Sequence, residues 1–596
     1  MQEARVALLR RPAVWLALLL ALDLGLQAWT LHRGWAGNPF LRMPQSDAQE
    51  YWDWSARIAG GELVGSGPFF SAPLYPYFLG LVRACGGGLF TVYVLQTALR
   101  TLTAWLLFRV ATRRFGRPAF GLAAAALFLA LGEPAYFGHR ILNSSLQLFL
   151  IAALCAVIQS ADERRTRPRL AGAGFLLGLN VLANPTMLLL VPALPLWLGW
   201  RTRAGWAASA VVGAAAALAI APATAHNWLA TRDSAAGPEL ILVSAQSGIT
   251  YAHGNSAAAH GYYAPVPGVA VERIRQNASA YEVARAATGE DGWKNVNSYF
   301  FRLGLDWNLA HPAEALRLHA QKAAYLFFGR HYSDIANATW EQRDPSLPAP
   351  VHWPGGGLPS NWLLVSALAG AGFLLARRGA HGVCDALLLA LPMAVVIVFW
   401  YSPRYRLPIA VPACLLAPYG LAALAALRPR ALAIAAAGAA ALAPIGAEFA
   451  FRTTGFDHAE MYHAEYEMHV GEALMNLALP DQAYDRFENS LKLGQEQAIT
   501  YEYMGNMRRD SGKLRQQRND LAGADRAYQD ALRHYTRAIE LNPERFFAFV
   551  GRGTILIHLG DMQSGLRDVR RGLEIARAQN HPNAADIEAY LRSIGG

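Results

Sequence analysis

The sequence is poor in charged residues for its length. Of its 596 residues only 16% are Asp, Glu, Lys or Arg, whereas 54% are hydrophobic. With a mean hydropathy of +0.17, this balance argues against an ordinary soluble protein and favours a chain that crosses a membrane many times. Lysine is almost absent, so the net charge of +10 comes from arginine. Many arginines lie in short clusters between hydrophobic runs, as expected for residues that orient membrane spans, and we therefore do not expect a nucleic-acid partner.

Signatures of several other protein classes are also missing. The four cysteines show neither CxxC spacing nor a Cys/His ligand pattern, so neither a disulfide framework nor a zinc site is indicated. The sequence contains no glycine-rich phosphate loop of the Walker or dinucleotide-binding type, which disfavours a nucleotide-linked substrate. The first hydrophobic run has no small-residue cleavage site, so we expect it to remain as a membrane anchor.

Hydrophobic runs of membrane-spanning length recur along the chain up to about residue 455. A spanning helix needs about 20 apolar residues, and the pattern predicts about eleven such helices. The predicted spans are Ala13–Thr30, Leu89–Val110, Ala119–Phe137, Leu142–Ser160, Leu170–Ala183, Thr186–Trp200, Gly205–Ala223, Asn361–Ala376, Val383–Tyr401, Leu407–Leu427 and Ala431–Phe451. We therefore predict an all-α polytopic membrane domain over residues 1–455.

The arginine clusters predict the orientation of these spans. If every span crosses once, the clusters fall on one side of the membrane, which the positive-inside rule identifies as the cytoplasm. They comprise Arg5, Arg10, Arg11, Arg113, Arg114, Arg117, Arg164, Arg165, Arg167, Arg169, Arg201, Arg203, Arg377, Arg378, Arg428 and Arg430. The N-terminus is then cytoplasmic. The loops 31–88 and 224–360 and the C-terminal segment lie outside, which in a bacterial inner membrane means the periplasm.

The second outer loop is rich in Tyr and Trp and is expected to be folded. Its segment Pro312–Arg330 has the pattern of an amphipathic helix, which would lie either at the membrane interface or in the core of the loop.

Residues 456–596 have the composition of a soluble, helical domain with an internal repeat. Gly471, Gly505 and Gly553 are separated by 34 and 48 residues, whereas Phe487, Tyr535 and Val569 are separated by 48 and 34. A 34-residue period with small residues at helix-crossing positions is typical of tetratricopeptide (TPR) repeats. We predict about three repeats, Tyr466–Gly494, Thr500–Pro543 and Phe546–Ala576, with an insertion at Asp510–Gly523 between the two helices of the middle repeat. Such an array either binds a partner or serves as an architectural cap.

Just beyond the first span, the motif Asp47-Ala48-Gln49-Glu50-Tyr51 places two carboxylates about one helical turn apart. Ionised groups at the membrane are costly and usually functional. A carboxylate in this position can act as a general base that takes a proton from an acceptor hydroxyl. We also considered a divalent ion shared by Asp47 and Glu50, or held by His253 and His260, but no metal or other cofactor is expected.

Arg140, Arg404 and Arg406 lie on the outer side, where the positive-inside rule predicts few basic residues. Guanidinium groups at a membrane surface are well shaped to hold a phosphate through forked hydrogen bonds. The alternative is that these side chains only extend towards lipid headgroups.

Together these motifs resemble the membrane-embedded GT-C glycosyltransferases. The branch they resemble is glycosyltransferase family 39, with its protein O-mannosyltransferases and aminoarabinose transferases, over roughly residues 1–455. The resemblance rests on Asp47-Ala48-Gln49-Glu50-Tyr51, Ala72-Pro73-Leu74-Tyr75-Pro76, His226-Asn227-Trp228, His253-Gly254-Asn255 and Arg404-Tyr405-Arg406-Leu407-Pro408. The chain departs from the family where Ala48 and Gln49 separate the two acids, where His226 stands in place of an arginine, and where Ser144 stands in place of an acid.

The resemblance implies an inverting glycosyltransferase that moves a sugar from a polyprenyl-phosphate donor to a hydroxyl acceptor outside the cytoplasm. Asp47 matches the family's general base. The expected phosphate-binding residues are Arg404, Arg406, Arg140 and His139, and those of the sugar and acceptor pocket are Glu50, Tyr51, Tyr75 and Asn255. The acceptor would be a protein or a glycan, recruited by the TPR domain.

Two other functions compete with this interpretation. In one, the membrane part only anchors a TPR scaffold for a periplasmic glycan- or protein-assembly complex. In the other, the protein is a transporter, for which one expects charged or broken helices near the middle of the membrane. Apart from Asp23 and Glu133, the sequence offers few such charges.

Overall fold

The computed structural model shows a helical protein that divides into two compact units, residues 1–457 and 458–596. The residues that the structure describes are 11–164, 166–201, 205–270, 273–328, 338–348, 360–427, 430, 434, 438, 462–494, 497–579, 581 and 583–595. No strand occurs among these described residues, so the predicted all-helical class is confirmed for them.

The described part of the first unit contains nineteen α-helices. They are α1 (Pro12–Gly37), α2 (Pro39–Arg42), α3 (Asp47–Ala59), α4 (Leu74–Ala84), α5 (Leu89–Phe115), α6 (Pro118–Ala130), α7 (Gly132–Gly138), α8 (Ser144–Arg164), α9 (Arg167–Ala183), α10 (Leu190–Arg201), α11 (Trp206–Thr231), α12 (Ser247–Gly254), α13 (Arg273–Thr288), α14 (Trp293–Ala310), α15 (Pro312–Phe328), α16 (Ala338–Arg343), α17 (Ser360–Arg378), α18 (Ala380–Val398) and α19 (Pro403–Ala425). A short 3-10 helix, Pro185–Leu189, precedes α10.

Ten of the eleven predicted spans coincide with helical segments, and the last, Ala431–Phe451, lies almost entirely outside the described residues. Within the described part of the chain, four helices are long and apolar enough to cross a membrane, namely α1, α8, α11 and α19. The bent pair α6 and α7 raises that number to five if it counts as one span. The protein therefore has several apolar helices, and the larger number of spans stays a prediction.

Three predicted boundaries differ from the structure. The span predicted as Ala119–Phe137 is broken between α6 and α7, which meet at a bend of 57°. Helix α1 continues beyond the predicted end at Thr30 to Gly37. Helix α11 continues to Thr231, and His226-Asn227-Trp228 therefore lies in its last turns rather than in the following loop.

Close helix crossings hold the apolar bundle together. A Cβ added at Gly420 of α19 would lie 2.0 Å from the carbonyl oxygen of Ser366 on α17, so only glycine permits this approach. Small residues at such crossings let apolar helices gain van der Waals contact where no hydrophobic driving force acts between them.

A buried ion pair joins α1 to α5. The guanidinium of Arg100 lies 3.1 Å from Asp23, with side-chain exposures of 3% and 6%, and it also donates to the Leu129 carbonyl at 2.7 Å. Arg100, 77 residues away, is thus the partner of the only acid in the first predicted span. Because the two charges neutralise each other, Asp23 does not by itself indicate an ion pathway.

Among the described residues of the second unit are three helix pairs, each formed by consecutive helices, and a final helix. These are α20 (His463–Asn476) with α21 (Pro480–Lys492), α22 (Ala498–Gln517) with α23 (Leu521–Leu541), α24 (Phe546–His558) with α25 (Met562–Ala578), and α26 (Ala584–Ser593). Each pair contains the same contact between repeat positions: a Cβ at the glycine would lie 2.7–2.8 Å from the facing side chain. The contacting residues are Gly471 with Phe487, Gly505 with Tyr535, and Gly553 with Val569.

The predicted insertion at Asp510–Gly523 is helical over most of its length. Helices α22 and α23 have 20 and 21 residues, whereas α20 and α21 have 14 and 13, so the additional residues lengthen both helices of the middle pair. The turn between α22 and α23 is short and contains Asn519 at a φ of 64°. The assignment of these pairs to the TPR family stays a prediction.

Candidate functional site

Asp47, the first acidic residue of the motif Asp47-Ala48-Gln49-Glu50-Tyr51, begins helix α3. Ser46, directly before it, has a φ of 53° and a ψ of −127°, a backbone conformation that non-glycine residues rarely adopt. Strain of this kind persists where the surrounding structure imposes it, and it often occurs next to functional side chains. Here it fixes the direction in which the chain enters α3 and therefore where the Asp47 carboxylate lies.

Asp47 forms an ion pair with Arg404, a residue 357 positions later in the chain. The Arg404 Nη1 donates to Asp47 Oδ2 at 2.7 Å, with side-chain exposures of 11% for the arginine and 18% for the aspartate. Arg404 lies in the first turn of α19, where the Ser402 hydroxyl caps the helix by accepting from the Arg404 amide. The base and one phosphate ligand predicted from the sequence are thus direct neighbours.

Arg406, two residues further along α19, forms a second ion pair with Glu133. Glu133 lies at the start of α7, immediately after the bend between α6 and α7. The Arg406 Nη1 also lies 3.5 Å from the carbonyl oxygen of Leu326 in α15. The bend between α6 and α7 therefore matters for the site, because it places the Glu133 carboxylate against Arg406.

Arg140 lies in a buried cluster with Glu341, a residue of the short helix α16. Its guanidinium donates to both carboxylate oxygens, at 2.6 Å to Oε1, and Glu341 also accepts from the Tyr136 hydroxyl at 2.8 Å and from the Asn38 amide. The Glu341 side chain is only 1% exposed. Arg140 is therefore engaged inside the protein by a partner that the sequence analysis did not identify.

His139 is buried next to Arg140. Burial, followed by the nearby charges of Arg140 and Arg100, lowers the pKa of His139 to about 3. The imidazole is therefore neutral at physiological pH, and it could offer a phosphate a hydrogen bond but no charge.

The predicted sugar-pocket tyrosines contact each other. The rings of Tyr51 in α3 and Tyr75 in α4 meet edge to face with their centroids 5.6 Å apart. The Tyr75 hydroxyl donates to Gln96 at 2.8 Å, and the Gln96 amide donates to the carbonyl oxygens of Gly138 at 2.8 Å and Arg140 at 2.9 Å. This buried chain of bonds links the acidic motif to the segment that carries His139 and Arg140. Glu50 lies in the first turn of α3 together with Asp47.

Asn255 has a different environment, between the outer loop and the end of α18. Its amide donates to the carbonyl oxygens of Tyr251 and Val398, both at 2.9 Å. Its Oδ1 accepts from Lys322 at 3.2 Å, and the Lys322 side chain is completely buried in α15. Burial lowers the pKa of Lys322 from 10.5 to about 7. Asn255 therefore fixes the loop that leads into Arg404 rather than contacting Asp47.

The motif in the last turns of α11 connects the segment before α4 to the segment after α11. Asn227 accepts from the Phe69 amide at 2.8 Å and donates to the carbonyl oxygens of Ile241 and Val243, both at 3.0 Å. The His226 ring stacks on Phe69 with centroids 3.7 Å apart. These contacts give the motif a structural function, since they hold the loop that leads into α4.

The structure thus pairs Asp47 with Arg404 and, two residues further along α19, Arg406 with Glu133. Tyr51 and Tyr75 contact each other next to the acidic motif of α3, whereas Asn255 holds the loop before Arg404. Sequence reasoning missed the functions of Glu341 and Lys322. Lysine is rare in this chain, so Lys322 was a weak signal, whereas Glu341 is one of eleven acids in residues 224–360 and did not stand out. Within the described ranges, no group of three or more His, Cys, Asp or Glu side chains is placed to hold a metal ion.

Comparison with known proteins agrees with the resemblance inferred from the motifs. Residues 70–228 match the sequence profile of the family described as dolichyl-phosphate-mannose-protein mannosyltransferase. The predicted resemblance to GT-C glycosyltransferases is thereby confirmed. The matched segment contains Tyr75, His139 and Arg140 but not Asp47, Arg404 or Arg406.

Among solved structures, the chain is similar to the archaeal oligosaccharyltransferase AglB from Archaeoglobus fulgidus in complex with an inhibitory peptide and a dolichol-phosphate. The identity is 14% and the TM-score 0.38, and the match covers 81% of this chain and 60% of that chain. No curated protein matches the sequence significantly.

Proposed function

We propose that the protein is an inverting glycosyltransferase that moves a sugar from a polyprenyl-phosphate donor to a hydroxyl group on the outer side of the membrane. The observation that carries this proposal is the contact between Asp47 and Arg404, 2.7 Å apart at the start of α3 and α19. It places a carboxylate and a guanidinium, the two groups that such a reaction needs, within one partly buried site. The family match over residues 70–228 supports the same class of donor.

In the proposed reaction, Asp47 accepts the proton of the acceptor hydroxyl as its oxygen forms a bond to the anomeric carbon. The bond between that carbon and the phosphate oxygen breaks, and the polyprenyl phosphate leaves with the electron pair. Attack opposite the leaving phosphate inverts the configuration at the anomeric carbon. General-base catalysis of this kind contributes about 10²–10⁴-fold to the rate.

Arg404 and Arg406 stabilise the negative charge that grows on the leaving phosphate. Both side chains are mostly buried, so their fields are less screened than in water, and both are fixed by carboxylates before the reaction begins. Glu133 acts as a positioning residue, because it contacts Arg406 rather than the reacting atoms.

Four further residues complete the proposed pocket. Glu50, on the first turn of α3, and Tyr51, directly after it, contact the sugar and acceptor, and the fully buried Tyr75 supports the Tyr51 ring from behind. Asn255 contributes indirectly, through the loop before Arg404.

Arg140 and His139 have a smaller function in this proposal than the sequence predicted. Arg140 is held by Glu341, and His139 is neutral, so a phosphate would have to displace Glu341 to reach the guanidinium. We propose that they shape the floor of the site, with Arg404 and Arg406 as the main phosphate ligands.

We further propose that the site faces the periplasm of a bacterial inner membrane, and that the helix pairs of residues 458–596 recruit the protein or glycan acceptor. A second candidate function is that of a membrane-anchored scaffold. It is favoured by the compact C-terminal unit, whose three helix pairs repeat one glycine contact.

Binding of the donor tests the proposal. We expect the purified protein in detergent to bind a polyprenyl-phosphate hexose, and Arg404→Gln to weaken binding about 10-fold or more, because a charge-assisted hydrogen bond contributes about 1.5–3 kcal/mol. Arg232→Gln is the matched control, since Arg232 is 63% exposed at the outer end of α11.

Arg406 needs a charge-balanced variant, because its removal alone would leave Glu133 without its ion-pair partner. Arg406→Gln combined with Glu133→Gln removes both charges together. A folded wild-type protein that binds no polyprenyl-phosphate sugar would contradict the proposal and favour the scaffold.

A further inference from the structure

The resting site contains its proposed base and its proposed phosphate ligand bound to each other. Asp47 and Arg404 are 2.7 Å apart and largely shielded from solvent, with exposures of 18% and 11%. They come from the first turns of α3 and α19, so the contact depends on the tertiary fold and not on sequence proximity.

This contact opposes both functions. A guanidinium that donates to a carboxylate stabilises its ionised form and makes it a poorer proton acceptor. The same carboxylate occupies donor groups with which Arg404 would otherwise bind a phosphate. Neither group can therefore act fully until the pair is separated.

We propose that the lipid phosphate separates the pair when the donor binds, taking Arg404 from Asp47 and thereby freeing the base. A phosphate monoester or diester offers several acceptor oxygens to a guanidinium, so it can replace the carboxylate and bind through two parallel hydrogen bonds. This proposal rests on the function proposed above and adds an order to it. The donor binds first, and only then can Asp47 accept a proton from the acceptor hydroxyl.

The end of the reaction follows from the same contact. After sugar transfer, Asp47 carries the acceptor's proton and Arg404 holds the polyprenyl phosphate. When Asp47 releases that proton to solvent, its carboxylate regains charge and competes for Arg404, which favours departure of the lipid phosphate. The ion pair thus makes the idle enzyme inactive and also promotes product release.

The direction in which the Asp47→Asn substitution changes phosphate affinity distinguishes this exchange from a site in which Asp47 itself contacts the ligand. If Asp47 competes with phosphate for Arg404, then Asp47→Asn should bind sugar-free polyprenyl monophosphate more tightly than the wild type. We expect a gain of about 5-fold or more, the lower end of coupling between linked sites. Asp53→Asn is the control, because Asp53 is an exposed carboxylate of the same helix and its loss removes the same charge.

The double variant Asp47→Asn/Arg404→Gln separates exchange from general electrostatic repulsion. Repulsion between Asp47 and the phosphate would persist without Arg404, whereas competition for Arg404 would not. In a protein that already carries Arg404→Gln, we therefore expect Asp47→Asn to increase the affinity for polyprenyl monophosphate no more than Asp53→Asn does.

The outcomes are distinct. Tighter binding by Asp47→Asn only when Arg404 is present supports the exchange. Binding that depends on Arg404 but is unchanged or weaker in Asp47→Asn overturns the exchange and leaves the proposed function standing. A folded wild type that does not bind polyprenyl monophosphate overturns both.

Discussion

At the scale of single residues, the side chains that the sequence suggested for chemistry are held by partners that it did not reveal. Asp47 contacts Arg404, Arg406 contacts Glu133, and Arg140 contacts Glu341. Each arginine is thereby neutralised inside the protein, which reduces the cost of placing a guanidinium away from water. Lipid headgroups are therefore not needed to explain where these arginines lie.

Lys322 leads to a prediction about pH. Its pKa falls from 10.5 in an exposed chain to about 7 because the side chain is buried, and its acceptors, Asn255 Oδ1 and the Val398 carbonyl oxygen, are neutral. Between these pH values the unfolded chain binds the proton and the folded chain does not, so stability should rise as the pH increases from about 7 towards 10.

We expect Lys322→Met to remove this dependence. The midpoint of thermal unfolding in detergent should rise between pH 6.5 and 8.5 (roughly spanning the folded pKa) more in the wild type than in the variant. Lys294→Met, at an exposed lysine of the same outer segment, should behave like the wild type. Parallel curves for wild type and Lys322→Met would contradict the pKa assignment.

At the scale of helices, α16 is fixed by its Glu341 to Tyr136 of α7 and to Arg140. Removing one partner of a buried ion pair typically costs about 3–5 kcal/mol because the other charge stays buried. We therefore expect Glu341→Ala to lower the thermal stability strongly. The double variant Glu341→Met/Arg140→Met should recover most of the lost thermal stability. An unfolding midpoint of the double variant no higher than that of Glu341→Ala would contradict the assignment of an ion pair.

The middle helix pair of the C-terminal unit offers a second test at this scale. A Cβ at Gly505 would lie 2.8 Å from the Tyr535 ring, so Gly505→Val forces α22 and α23 apart. Overpacking of this kind costs about 1–3 kcal/mol. Hydrogen exchange in α22 and α23 of the full chain should accelerate, whereas Lys513→Ala, at a side chain that is 55% exposed, should leave it unchanged. Equal protection of the α22 and α23 amides from exchange in Gly505→Val and Lys513→Ala would contradict the close contact between Gly505 and Tyr535.

Comparing sequence with structure shows which features were local. Hydrophobic runs and the repeat spacing are properties of neighbouring residues, so the helices at ten predicted spans and the three C-terminal pairs could be located. The bend between α6 and α7 had a local signal that was not used, because Gly132, Glu133 and Pro134 follow directly after Leu131 and a proline cannot donate the helical hydrogen bond to the carbonyl four residues before it. The partners of Asp47 and Arg140 were missed because they are 357 and 201 residues away.

At the scale of the whole molecule, the chain combines a membrane unit and a helical-repeat unit that form separate cores. We expect deletion of residues 458–596 to leave the affinity for a polyprenyl-phosphate hexose within about twofold, because every proposed donor contact lies in the first unit. Transfer to the natural acceptor should fall. Loss of donor binding in a truncated protein that remains folded would show that the repeat unit contributes to the donor site.

The measurement that tests the central claim most directly is sugar transfer from a radiolabelled polyprenyl-phosphate hexose to macromolecules of a periplasmic extract. The wild type should label an acceptor. Asp47→Asn should still bind the donor, but its rate of labelling should be at least about 10²-fold lower, since it lacks the base. Asp53→Asn should match the wild type. Transfer by Asp47→Asn at the wild-type rate would contradict the assignment of Asp47 as the base and, with it, the mechanism proposed for this site.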